Sequence, residues 1–241
     1  MLKAFRKIRQ KLLSSNKASK YLLYAFGEII LVVIGILIAI QINNWNEWRK
    51  ERLSEMVVLE DLKDNIIRNN QLIEKSLQKL DEINQSTIIV KSAVENKIEY
   101  SDTLNFHFSH SIRHGGFMLR LNKDGYESYK NVGFSIIQNE GLKDQILSLF
   151  EVTYSNYDID LQWGNSAYMG FYGWWDEYFY TIENDLFIPK DYNVILSEKS
   201  FMSKIFETQE IRASLQRSIN DCLKHNKLVL ALILDELNED L

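Results

Sequence analysis

Tyr21 to Ile42, YLLYAFGEIILVVIGILIAIQI, is an unbroken apolar run of 22 residues with one charge, Glu28. No other feature constrains the chain so tightly. A helix rises about 1.5 Å per residue, so the run reaches about 33 Å, enough for a hydrocarbon core of about 30 Å. Fourteen of the 22 residues are Leu, Ile, Val or Phe. At roughly −0.3 to −0.6 kcal/mol each they favour insertion by roughly 4–8 kcal/mol, and one off-centre acid costs no more than about 3 kcal/mol. Insertion wins despite Glu28. The competing readings are a buried helix of a soluble core and a cleaved signal peptide. Against the signal peptide, the run is too long and no small-x-small cleavage site follows, since the chain continues as IQINNWNEW.

The remaining charge is sorted around this run. Residues 2–20 hold Lys3, Arg6, Lys7, Arg9, Lys11, Lys17 and Lys20 and no acid. Residues 43–241 hold 21 basic and 32 acidic residues, and the whole chain carries −5. The positive-inside rule puts the N-terminal arm in the cytoplasm and residues 43–241 outside. Tyr21 and Tyr24 at one end, with Trp45 and Trp48 at the other, suit the two interfacial belts. In the arm, Leu2, Phe5, Ile8 and Leu12 share one helical side and Lys3, Lys7 and Lys11 another. That pattern fits a helix lying on anionic lipid, or equally a solvated topology signal. Expected domains are therefore a basic arm at 1–20, a transmembrane helix at 21–42 and an extracytoplasmic domain at 43–241.

Within the run, Tyr21, Glu28, Gly35 and Ile42 recur every seven residues and so lie on one stripe, together with Ala39. Small residues let helices approach closely in lipid, and an intramembrane acid usually faces protein or water. The stripe reads as an interface with a second copy or another membrane protein, with Glu28 bonded across it. The competing reading has Glu28 snorkelling to the headgroups.

Beyond the run the pattern is helical. No Gly or Pro interrupts 46–96, and positions 66, 73, 80, 87 and 94 read Ile, Ile, Leu, Thr, Val. This predicts an amphipathic bundle helix continuing directly from the span. Residues 97–120 are less regular. A helix is expected from Asp124 to Gly133, then a connection over 134–141. Another helix starts near Leu142 and reaches Leu161 or beyond. An aromatic and mostly helical stretch at 163–180 follows, then a loop over about 182–196 containing Pro189. A long final helix runs from Phe201 through Ile233. Ten Gly, one Pro and few alternating runs argue against a β domain, so the expected fold is all-α.

Candidate chemistry is sparse. His107, His110 and His114 have helical metal-ligand spacing, and Asp102 stands near enough in sequence to add a fourth ligand. No HExxH-type base accompanies them, and the competing reading is loop or surface histidines, so no metal or cofactor is assigned. The run WGNSAYMGFYGWWDEYFY is dense in aromatics. Trp163, Tyr172, Trp174 and Trp175, with Asp176, are the best candidates for ligand or partner contacts, and bundle core is the alternative. Cys222 lies in the apolar row of the last helix and reads as packing. No phosphate loop, nucleophile elbow or CxxC pair is present, and no catalytic residue is assigned. Nucleic-acid binding is not expected, because the basic block lies beside the membrane.

The stretch MLKAFRKIRQKLLSSNKASKYLLYAFGEIILVVIGILIAIQINNWNEWRK resembles the opening of a family of bacterial single-span membrane proteins of unknown function. These share a basic start, a YLLYAxGEIxLVVIGILIAxQINNWNE-like span and a helical outer domain. GYESYKNVGFSIIQNEGLKDQILSLFEVTYSNYD is also similar to that family. The resemblance implies membrane location and a helical ectodomain, and it supplies no activity; with the orientation read from the charges, the expected residence is the bacterial cytoplasmic (inner) membrane with residues 43–241 periplasmic. The function expected is a membrane-anchored interaction or scaffold protein, a homo-oligomer or bound to another membrane protein. The alternative is a sensor-like bundle that takes a small ligand outside the membrane.

Overall fold

The computed structural model describes residues 18–113, 119–170, 172–181 and 186–238, without the side chains of residues 18–21, Tyr24 and Arg113. The basic arm through residue 17, the Gly115-Gly116 pair, and Glu239 and Asp240 lie outside the described residues. The fold is all-α, as expected. Helix α1 (Ala18–Glu95) is followed by α2 (Thr103–Arg113), α3 (Asp124–Val132), a 3-10 turn (Phe134–Ile136) and α4 (Glu140–Leu147). A π-helical segment (Ser148–Thr153) leads into α5 (Tyr154–Met169). A 3-10 turn (Trp174–Glu177), strands β1 (Phe179–Thr181) and β2 (Phe187–Pro189), α6 (Tyr192–Ser197) and α7 (Lys199–Asn238) complete the order.

The chain divides into two units, Met1–Glu55 and Met56–Leu241. Of the first, the described part is the beginning of α1. Leu22, Leu23, Phe26 and its large apolar side chains from Ile29 through Ile42 are exposed. Among the described residues this is the one helix long and apolar enough to cross a membrane.

The second unit is a bundle whose directions can be read from cross-helix hydrogen bonds. Asn226 bonds Asn70, Gln216 bonds Asn84 and Gln209 bonds Lys91, so α7 runs antiparallel to α1. His225 meets Thr153, and Leu215 lies against Gly164, so α7 is also antiparallel to α5. The core has two clusters. The larger joins Leu59, Leu62, Ile66 and Ile73 of α1 to Ile146, Tyr154 and Tyr157, and to Ile219, Val229 and Ile233 of α7. The second joins Val90 and Val94 to Phe108, Trp175, Phe179, Phe187 and Phe201.

Local sequence explains the helix ends. Asn139 accepts the Leu142 N–H at 3.1 Å and caps α4. Gly133 ends α3 with φ of +107°, a conformation that favours glycine. The π segment adds one residue to the helical phase. Leu142, Ile146 and Leu149 are buried at four-and-three spacing, and burial restarts at Phe150, Tyr154, Tyr157 and Leu161. The extra residue turns α5 so that its aromatic face meets the core.

Three segments differ from the sequence expectation. Residues 103–113 form a helix where less regular structure was expected. The helix through 163–169 stops at Met169, and a 3-10 turn and a strand replace the rest of the expected helical stretch. Pro189 closes β2, and α6 occupies 192–197, where a loop was expected. The strands pair antiparallel, Phe179 opposite Pro189 and Thr181 opposite Phe187. Their inward Phe179 and Phe187 stack at 5.3 Å between ring centroids, so aromatic burial holds a hairpin too short to signal itself by alternation.

Candidate functional site

A concave site among the described residues lies between the 119–123 connection and one face of α5. It is a cleft of about 560 Å³, lined by residues 120–124 and by Asp158, Leu161, Gln162 and Asn165. Those four α5 positions are spaced at three, one and three residues, one helical face. Leu121 and Leu161 are buried beneath it.

The connection is held at both ends by side chains of neighbouring helices. The Asn69 amide donates to the Asn122 carbonyl at 2.8 Å, and its oxygen accepts the Asn122 N–H at 2.9 Å. A fully buried asparagine on α1 thus pairs with a loop backbone as a neighbouring strand would. Asn65 donates to Asn122 Oδ1 at 2.6 Å, and the Tyr157 hydroxyl donates to the Leu119 carbonyl at 2.7 Å. Behind this wall the bonds continue: Asn69 Nδ2 to Tyr154 Oη (3.0 Å), Tyr154 to Asn226 Oδ1 (2.7 Å) and Asn226 to Asn70 Oδ1 (2.8 Å). Burial raises the phenolic pKa of Tyr154 and of Tyr157, so both hydroxyls stay protonated donors. Asn65 Oδ1 is left without a partner among the described residues, but the other bonds of this network favour one loop conformation, because Asn69 and Asn226 would otherwise lose their buried partners. The wall of the cleft is therefore set before anything enters it.

Within the cleft some charges are already paired. Lys123 Nζ bonds Asp158 at 2.8 Å, and Asp124 accepts the Asn122 amide at 2.8 Å. Arg120, Gln162 and Asn165 have no side-chain partner among the described residues. Sequence reading missed this cleft, because its two walls stand about forty positions apart. The polar run RLNKD at 120–124 and the 158-161-162-165 spacing were the only signals of it.

The residues singled out from sequence fall elsewhere. In the stripe of α1, Gly35, Ala39 and Ile42 are exposed and Glu28 is half-buried. A Cβ built on Gly35 meets nothing within 4 Å. The Tyr21 side chain lies outside the described residues. Of the aromatic candidates, Trp175 is buried in the second core cluster and Trp174 is half-buried against it. Trp163, Tyr172 and Asp176 are exposed. Tyr172 meets Trp175 edge-on at 4.9 Å, while Trp163 lies on α5.

His107 and His110 lie on α2, and His114 lies outside the described residues. His107 Nδ1 bonds Ser86 Oγ at 3.2 Å, and His110 stacks on Phe106 at 4.9 Å. Burial lowers the pKa of both rings, although Glu82 opposes the shift at His110. Among the described residues no group of three or more His, Cys, Asp or Glu is arranged to hold a metal ion. Cys222 is fully buried, and burial pushes its thiol up to about 12.

No curated protein and no solved structure matches this chain. Residues 28–106, which include most of α1 and the start of α2, match the model of a family of unknown function, DUF6090.

Proposed function

We propose that this chain is a single-span membrane-anchored interaction protein. In this reading residues 21–42 cross the bacterial cytoplasmic membrane, the basic arm stays in the cytoplasm and residues 43–241 stand in the periplasm. One observation carries it. Residues 29–42 of α1 are all exposed among the described residues, with Ile29 at 61%, Leu37 at 59% and Ile42 at 61%. Water does not tolerate a continuous apolar surface of this length, and lipid does. A helix of a soluble core would instead be buried. Pairing through Glu28, Gly35, Ala39 and Ile42, with a second copy or another membrane protein, accounts for the small residues and the acid on one stripe.

The test uses the full chain in bacterial membranes. Alkaline carbonate should leave it in the pellet. With Cys222 replaced by Ser, a membrane-impermeant thiol reagent should label Glu60→Cys from the periplasmic side and spare Ser14→Cys. Extraction by carbonate, or the reverse labelling, overturns the reading. For the interface, Gly35→Cys should crosslink more strongly than Leu37→Cys, and equal crosslinking would count against the stripe.

A second reading, a sensor-like bundle binding a small ligand, is favoured by the pre-set cleft at Arg120 and Asn165. Under it the ligand would act through the packing of α1 against α5 and α7.

A further inference from the structure

We propose that the cleft between the 119–123 connection and α5 binds a small carboxylate whose neighbouring group is an amide, as in an N-acyl amino acid. Arg120 would take the carboxylate, Gln162 and Asn165 the amide, and Leu121 and Leu161 the short apolar part. The volume, about 560 Å³, falls within the range of small-molecule sites. The wall is held by Asn65, Asn69 and Tyr157, so binding does not have to order it.

The charges select the ligand class. Four charged side chains line the cleft, Arg120 and Lys123 against Asp124 and Asp158. Both carboxylates already accept a hydrogen bond, Asp158 from Lys123 and Asp124 from Asn122. A cationic ligand would therefore compete with bonds in place. Among the described residues neither Arg120 nor Asp124 has a counter-ion, but Asp124 accepts the neutral Asn122 amide whereas Arg120 has no side-chain partner, and its planar fork matches a carboxylate with two parallel bonds. A phosphate dianion matches less well, because the cleft has no net positive charge and the two acids would repel the second charge. The unengaged amides of Gln162 and Asn165 offer both donors and acceptors to a peptide-like group. None of this depends on the span, so the site stands or falls apart from the membrane reading.

The experiment is calorimetric titration of the full-length protein in uncharged detergent micelles. The probes are N-acetyl-L-alanine, N-acetyl-L-alaninamide and inorganic phosphate. N-acetyl-L-alanine should bind saturably at one site. The alaninamide, which lacks the carboxylate, should bind at least about tenfold more weakly, as expected for a lost charge-assisted bond. Arg120→Gln should weaken N-acetyl-L-alanine to the same degree with an unchanged circular dichroism spectrum. Asn165→Asp, which keeps the volume and adds a negative charge, should weaken it as well. Absence of saturable binding by N-acetyl-L-alanine overturns the proposal. So does equal affinity in Arg120→Gln and Asn165→Asp, or tighter binding of phosphate than of N-acetyl-L-alanine.

Discussion

The Arg212 guanidinium is fully buried, and among the described residues it bonds no carboxylate. Its partners are the Ser111 carbonyl at 2.9 Å and Thr87 Oγ1 at 2.9 Å. Ser111 lies in the last turn of α2, where carbonyls lack helical partners and the helix end is negative. Arg212 thus replaces a missing intrahelical donor and ties α7 to α2 and α1. Burial lowers its pKa to about 10, so it stays charged at neutral pH. Arg212→Ala removes that donor and leaves a cavity, at a cost of about 3–5 kcal/mol. Arg212→Met fills most of the volume without charge and should cost less than half as much, because the Ser111 carbonyl is then the main group left unsatisfied. Urea unfolding of the two variants checks the order.

Helix spacing is set where side chains are smallest. An added Cβ at Gly125 of α3 would stand 2.8 Å from the Asp61 carbonyl oxygen and 2.9 Å from Asn65 Cβ of α1. At Gly164 of α5 it would stand 2.9 Å from Leu215 Cδ1 of α7. The first obstacle is helix backbone and cannot turn away, whereas the second is the end of a rotatable side chain. Gly125→Ala should therefore cost about 2 kcal/mol or more, and Gly164→Ala less. Gly125→Ala also pushes on Asn65, which holds Asn122, so it should weaken any ligand in the cleft as well. Thermal unfolding of both variants gives the comparison, and the opposite order would refute it.

Across the whole molecule, burial sets the pH range of stability. It holds the half-buried His107, His110 and His225 below the ordinary histidine value of 6.5. The folded state therefore favours neutral rings, and stability is lost as pH falls below 6.5, where the unfolded chain takes up protons first. Burial of Cys222 acts on the other side. Its thiol, ordinarily near 9.0, is pushed up to about 12, so stability is lost as pH rises past 9.0 and the unfolded thiol ionises. The protein should be most stable between these values. Urea midpoints measured from about pH 5 to pH 10 should trace that dome. His225→Gln should shrink its acid side, and Cys222→Ala its alkaline side.

Much of this architecture was legible in the sequence, for reasons local to the chain. The apolar run at 21–42, the gap-free helical pattern after it, the stop at Gly133 and the long row from Phe201 to Ile233 each rest on near-neighbour spacing. Periodicity and insertion energy are additive over adjacent residues, so sequence determined the all-α class and the candidate span. Tertiary structure decided whatever needed distant residues to meet. The hairpin at Phe179 and Phe187 exists because two rings find a common core. The Arg120 cleft exists because Asn65 and Asn69 of α1 hold a connection more than fifty positions away against α5. A hydrogen bond across that separation leaves no period in the sequence, and only packing reveals it.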